Sequence, residues 1–365
     1  MDNIPEQPVL YIVIGLLIIT LMVLLLPFRV KKVGEHLEPF FLVMGIIAVS
    51  VSGLWSWGLV KEALKAPVII RSFPIGIFQV VLVFGLLIHY FNKPFHNGIV
   101  SLADKLGPKI FLFLFITLLG LLSSVISVIV TAVILAEVVA VLPFSRRHKI
   151  KTIIVTCFAA GLGAVLTPVG EPLSTILVNK LTGPPYNAGF LFPVDIFGMY
   201  VIPGVIALAI FGVIYIGRDI SLETERVDST YSETSRGVIM RAVKVFIFVA
   251  ALILLGEGMK PLIVWYLDKI SPWVLYWINT ISAFLDNATL TAVEIGPEMT
   301  RFQILSAILG LLIAGGMLIP GNIPNIVAAE RLKISMGEWA RIGVPLGAVI
   351  MIIYFIALIF THTHV

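Results

Sequence analysis

Apolar residues fill this chain in blocks of about 20, the length that crosses a bilayer's hydrocarbon, separated by short polar seams. The blocks predict a first helix over residues 8–27, ending at Pro27-Phe28-Arg29. A second is expected over 40–60, closing on Trp55 and Trp57, residues typical of a membrane interface belt. A third covers 73–91, and 92–108 reads as a short amphipathic connector. The run 109–143 carries no charge between Lys109 and Glu137, enough for one over-length span or for a re-entrant hairpin. Its middle, LSSVISVIVT, gathers Ser123, Ser124, Ser127 and Thr131, which suits a hairpin tip.

Further on, an apolar run over 150–166 is interrupted by TPVGEP, Thr167 to Pro172, and resumes as a short helix to about 181. A helix over 196–216 precedes the long polar stretch Gly217 to Gly237, read as a linker. Then come a helix over 240–260, an apolar stretch over 262–300 holding SAFLDNATLTAVEIGPEMT, and a run over 302–319 broken by PGNIPN, Pro320 to Asn325. A last helix is expected over 341–360.

The order of elements repeats: helix, hairpin, broken helix, helix. SVIVTAV (127–133) lies over NATLTAV (287–293), and GAVLTPVGEP (163–172) over GGMLIPGNIP (315–324). The expected organisation is two leading helices (1–65), a first repeat (66–216), a cytoplasmic linker (217–239) and a second repeat (240–361).

Composition agrees. The chain has 365 residues, 59% hydrophobic and 13% charged, where a soluble domain carries about 25% charged residues. The expected fold is therefore an all-α polytopic membrane protein; a β-barrel would show alternating segments of about 10 residues. The first apolar run has no basic leader and no small-residue cleavage site, so it is expected to stay as a helix. The single cysteine, Cys157, lies in an apolar run and is expected to pack there.

Charge placement gives the topology. If each hairpin crosses zero times and each broken helix once, each repeat crosses three times and its copy is inverted. With two leading helices this makes about eight crossings, both termini on one side. Of the 25 Lys and Arg, 18 then fall on one side and 7 on the other, and the positive-inside rule makes the richer side cytoplasmic. The termini are expected outside, the first hairpin entering from the cytoplasm and the second from outside. All basic residues are expected in loops or at helix ends.

Irregular backbone survives at membrane depth only where it is buried in protein or lines a wet cavity, and inverted repeats with broken helices are the pattern of secondary transporters. Pro168, Pro172, Pro320 and Pro324 each remove an amide donor. Glu171 lies inside the first break and Asp286 at the second hairpin tip, without a Lys or Arg nearby in sequence. Carboxylates cost about 2.5–3.5 kcal/mol at a helix centre. Together with Ser, Thr, Asn and backbone oxygens they form a hard-oxygen site that suits Na⁺ or Li⁺, with the proton as competitor. Other readings stand beside this. Glu171 and Asp286 could cap the helices after them; Glu294 and Glu298 could flank the outer mouth or pair with Arg301. Glu137 could sit near the cytoplasmic face beside Arg146 or relay protons, and Glu257 could be interfacial.

These motifs resemble the ion transporter superfamily, which holds sodium/proton antiporters, arsenite carriers and dicarboxylate or citrate carriers. SAFLDNATLTA is similar to the S-A-x-x-D-N-x-x-x-x-A of its D-type sodium/proton antiporters. TPVGEPLST resembles their S-P-x-G-D stretch, with Glu171 at the acid, and GNIPNIVAAERLKI resembles their second break. The resemblance covers roughly residues 70–361, and the short length is similar to the short cation transporters of that superfamily. It implies an elevator-type homodimer in the cytoplasmic membrane. It assigns Asp286, Asn287 and Thr289 to the second hairpin tip, Thr167 and Glu171 to the first break, and Asn322 and Asn325 to the second. The first hairpin departs from the pattern, with Ser127-Val128 where relatives carry an Asn pair, and two scaffold helices are missing from the second half.

The expected function is exchange of Na⁺ or Li⁺ for protons, with Glu171 and Asp286 shared between cation and proton, Ser127 and Thr131 lining the first tip and Glu137 a possible relay. The alternative is a Na⁺-coupled carrier of a small anion. No catalytic triad, phosphate loop or Cys/His metal cluster is found in the sequence, so no enzyme activity, cofactor or nucleic-acid partner is expected.

Overall fold

A computed structural model describes residues 4–5, 7–68, 76–217, 234–266, 271–285 and 287–362. Among them there is no strand. The first helices are α1 (Leu10–Arg29), α2 (Lys31–Glu35), α3 (Leu37–Ser52), α4 (Trp57–Lys65), α5 (Ile77–Tyr90) and α6 (Asn92–Leu106). Then come α7 (Pro108–Ile126), α8 (Val128–Val141), α9 (Arg146–Ala164), α10 (Pro172–Lys180) and α11 (Phe192–Gly217). The rest are α12 (Ser235–Tyr266), α13 (Pro272–Ile278), α14 (Asn287–Glu294), α15 (Arg301–Gly315), α16 (Ile323–Leu332) and α17 (Met336–His362). Short 3-10 turns cover Asn279–Ala283 and Ile319–Gly321.

Among the described residues, five helices are long and apolar enough to cross a membrane: α1, α7, α11, α12 and α17. Their outer faces carry apolar stripes, such as Met199, Ile202, Ile206 and Ile210 on α11. Water would penalise so large an exposed apolar surface; lipid does not. The protein is an all-α, multi-pass membrane protein by these features.

Several boundaries differ from the sequence reading. The expected 40–60 helix is two helices, because Gly53 takes a left-handed φ of 71° and ends α3. Ser56 then caps α4, its hydroxyl accepting from the Leu59 amide at 3.0 Å. The 240–260 helix extends through Pro261 to 32 residues, about 48 Å at 1.5 Å per residue. Most of the 217–239 linker lies outside the described residues.

The uninterrupted run 109–143 divides at Ser127, whose φ of 78° stops α7. α7 and α9 then advance side by side in the same direction. Gly120 lies against Ala159, the Ser123 hydroxyl donates to the Ala160 carbonyl at 2.9 Å, and the Thr167 hydroxyl donates to the Ser124 carbonyl. Since α9 begins at the end where α7 began, α8 returns between them. The second half has a turn of similar course. The Asn279 amide donates to Ala307 and the Ser282 hydroxyl to Leu311, both at 3.0 Å, so that turn advances with α15. α14 comes back, bringing Glu294 within 3.0 Å of Asn279.

α1, α3, α5 and α12 form one bundle, and the broken helices with their paired segments form the other. Polar contacts between elements mark the two ends of the molecule. At one end Arg146 pairs with Glu338 and donates to the carbonyls of Leu332 and Lys333, while Lys244 bridges Glu38 and Glu330. At the other, Arg301 pairs with Asp195, Tyr186 donates to Met299, and Trp265 donates to Pro5. The expected Arg301 partners Glu294 and Glu298 are thus replaced by Asp195.

Arg241 goes against the expectation that all cations lie in loops or at helix ends, as does Lys244 three residues further into α12. Arg241 is 1% exposed on α12, paired at 2.8 Å with Glu137, itself 1% exposed. Arg331 of α16 takes the other Glu137 oxygen at 2.9 Å. A signal for this was present: Arg241 shares the face of Val238, Ala242 and Val245, the i, i+3, i+4, i+7 stripe of a buried helix.

Candidate ion site at the helix breaks

α9 ends at Ala164 and α15 at Gly315, and each chain resumes as a helix after a proline-rich gap. The residues before the resumed helices are Glu171, with φ −151° and ψ 161°, and Asn322, with φ −153° and ψ 149°. These extended caps are structural counterparts. The motif overlay places Glu171 over Ile323, one residue away, so the two breaks match more closely in backbone than in sequence.

Their supports match too. Three residues past each cap, a polar side chain reaches back over the gap. The Ser174 hydroxyl donates to the Val165 carbonyl. The Asn325 amide donates to the carbonyls of Gly315 and Leu318, both at 2.8 Å. The carbonyls of Val165 and Gly315 are ones the broken helix leaves without an amide, while that of Leu318 also accepts from the Gly321 amide at 3.3 Å. A side chain at Gly170 would collide with the Ala164 carbonyl, and one at Gly321 with that of Gly315. The tight turn therefore needs glycine at both places.

Each break meets a helix-pair tip. The Val128 amide donates to the Gly170 carbonyl at 2.8 Å, joining the first tip to the first break. Asn287 lies over Gly315, and Ala283 over Gly321, joining the second tip to the second break. The breaks in turn approach each other, with Asn322 beside Gly161 of α9. The four polar interruptions thus meet in one region, bringing together Thr167, Glu171, Asn287, Asn322 and Asn325, with Ser127 and Thr131 at the first tip.

Their roles there differ. Thr167 ties the first break to the first tip: its hydroxyl donates to Ser124 and accepts from the Val169 amide at 3.1 Å. The Thr131 hydroxyl donates to the Ser127 carbonyl at 3.0 Å, and the Ser127 hydroxyl accepts from the Ile129 amide at 3.2 Å. Asn322 turns its oxygen to its own helix, accepting from the Ile323 amide at 2.8 Å. Glu171 is 4% exposed. Asn287 is also 4% exposed, and neither its amide nitrogen nor its oxygen has a hydrogen-bond partner. The Asn325 oxygen is buried without one as well. Buried polar groups without partners are uncommon in native structures. Here both lie at the second break, Asn287 over Gly315 and Asn325 between Gly315 and Leu318. Asp286 lies outside the described residues, as does the side chain of Thr289.

Glu137 lies apart from this region. With a guanidinium on each oxygen it is the centre of a buried ion triad joining α8, α12 and α16. A cavity of about 290 Å³, lined by Glu38, Lys244, Phe248, Glu330 and Lys333, reaches Ile319 in the second break. Sequence reasoning missed Ser174, Ser282, Asn279 and Arg241. The first three are small polar residues within apolar runs, whose partners are backbone carbonyls of another helix, across the break for Ser174 and on α15 for Asn279 and Ser282.

Residues 13–361 match the family described as "Protein of unknown function (DUF1646)". No curated protein matches the chain.

Proposed function

The chain belongs to the DUF1646 family, and for this member we propose, from its own residues, a secondary transporter exchanging a monovalent cation, Na⁺ or Li⁺, for protons. One observation carries this reading: two helix breaks approach each other, one capped by the buried carboxylate of Glu171, the other holding the buried oxygens of Asn287 and Asn325, which have no partners. Hard oxygens in that number suit a small alkali cation. The carboxylate is the group a proton can claim instead. A site that returns loaded with cation or with proton exchanges the two.

In this reading α7–α8 and α13–α14 are re-entrant hairpins, and the halves are inverted repeats. α1, α3, α5, α11, α12, α17 and the two broken helices make eight crossings. Positive charge puts the Arg146–Glu338 and Lys244–Glu330 end in the cytoplasm and both termini outside, in a cell membrane. Support comes from the contacts: each of Arg146–Glu338, Lys244–Glu330, Arg301–Asp195 and Trp265–Pro5 joins residues that the charge count puts on one side. The bundle of α1, α3, α5 and α12 is then the scaffold of an elevator-type homodimer, and the broken-helix bundle moves. Glu137, held between two guanidiniums, serves as a link between the two bundles and not as a proton relay.

A second reading has its own observation. α8, α10 and α16 all start in the central region, and helix N-termini favour anions. A Na⁺-coupled carrier of a small oxyanion or dicarboxylate would use them. Proteoliposomes holding a pH-sensitive dye separate the two. The antiporter releases protons on addition of Na⁺ or Li⁺ with no organic anion present. A response that needs an added anion supports the second reading, and none to Na⁺, Li⁺ or K⁺ across neutral and alkaline pH counts against the first.

A further inference from the structure

The ion site does not use Glu294, a half-buried acid of the second hairpin with one carboxylate oxygen shut away from water. One of its carboxylate oxygens accepts from the Asn279 side-chain amide at 3.0 Å. The other is buried without a hydrogen-bond partner. Asn279 is fully buried and spends both amide hydrogens, one on Glu294 and one on the Ala307 carbonyl at 3.0 Å. Its own oxygen is left without a donor. The pair therefore holds two buried acceptors and lacks one hydrogen.

No cation answers that need among the described residues. α14 packs on α10, α12 and α15, and Asn279 reaches it through Glu294. Their charged groups are Glu171, at the cap of α10, Lys180, Arg236, Arg241, Lys244, Glu257, Lys260 and Arg301. Lys260 pairs with Glu257, Arg301 with Asp195, Arg241 with Glu137, and Lys244 with Glu38 and Glu330. No ion pair joins Lys180 or Arg236 to Glu294. Glu298, four residues on, is exposed beyond the end of α14.

We propose that Glu294, positioned by Asn279, is a proton-binding site distinct from the cation site. A proton delivered from water bonds to the free carboxyl oxygen, and the carboxylate becomes a neutral acid. The acid then has the O–H donor that the Asn279 oxygen lacks, while the amide keeps its bond to the other oxygen. A single proton thus neutralises a buried charge and completes both residues. Glu294 sits on the returning arm of the second hairpin, between the tip at Asn287 and the loop at Pro297. A proton held there lies between the ion site and the mouth of that hairpin. Its role as a carried proton rests on the antiporter reading; its existence does not.

Infrared difference spectroscopy on purified protein tests the site without transport. With the ion site's own carboxyl removed by Glu171→Gln, a pH jump across neutrality should raise a protonated-carboxyl band that is absent when Glu294→Gln is added and shifted when Asn279→Ala is added. Absence of that band from the Glu171→Gln protein, or its survival when Glu294→Gln is added, overturns the proposal. In proteoliposomes Glu294→Gln should keep Na⁺ binding and flatten the pH profile of exchange, with Glu294→Asp restoring part of it. Loss of a bound Na⁺ equivalent in Glu294→Gln would make this a second cation site and overturn the proposal. An unchanged pH profile would make Glu294 a structural acid, also against it. If the band appears but wild type shows no Na⁺-driven proton movement, the proton site stands and the antiporter reading fails.

Discussion

Glu171→Gln protein is expected to fold and to lose cation-driven proton release. The substitution keeps the shape of the side chain and the extended cap before α10, whose helix starts on Pro172 in either case. It removes the buried carboxylate at the cap of the first break and, in the proposed exchange, the group on which cation and proton compete. Removing one partner of a buried charged contact costs about 2–5 kcal/mol, which lowers cation affinity by roughly 30-fold or more. It also leaves nothing that titrates there. Counterflow of ²²Na⁺ in proteoliposomes, with circular dichroism in detergent as the fold control, measures both parts. Wild-type exchange in Glu171→Gln would remove Glu171 from the site. Asp286→Asn should behave alike if the second tip shares the ion.

Glu137→Ala should be the most damaging single change to stability. It leaves Arg241 and Arg331, 1% and 9% exposed, with their shared counter-charge gone. Breaking a buried ion group in this way costs about 3–5 kcal/mol, because charge is left uncompensated out of water. Replacing the whole group by apolar residues of similar volume, Glu137→Leu with Arg241→Met and Arg331→Met, should recover most of the loss. Cys157 offers the readout: it is the chain's single cysteine and is 1% exposed, so a thiol-reactive dye reports thermal unfolding in detergent. If the triad links the two bundles, the apolar triple variant should be stable yet slow in exchange. Stability unchanged in Glu137→Ala would contradict the triad.

Much of this architecture is written in local chemistry. The prolines at 168, 172, 320 and 324 and the glycines at 170 and 321 mark both breaks, because no continuous helix accommodates them. Ser127 gave no such signal for the turn between α7 and α8; its hydroxyl cluster was the only clue. The interior of the site was less legible. Whether Asn287 faces the breaks and Asn322 its own amide depends on helix rotation, which an all-apolar sequence does not encode as an amphipathic stripe. α8, α9 and α15 are buried on nearly every side, so periodicity carries no information about which face meets what. Arg241 is the converse case, a cation whose burial its apolar neighbours on α12 announce.

The central claim is that one buried oxygen site holds a cation or a proton, but not both. Calorimetric titration of purified protein with NaCl, run at one pH in two buffers of different ionisation enthalpy, tests it most directly. The predicted result is a heat that depends on the buffer, corresponding to about one proton released per Na⁺ bound, with affinity weakening as the pH falls and the release lost in Glu171→Gln. Sodium binding with the same heat in both buffers and the same affinity at every pH, or no sodium binding at all, would contradict it.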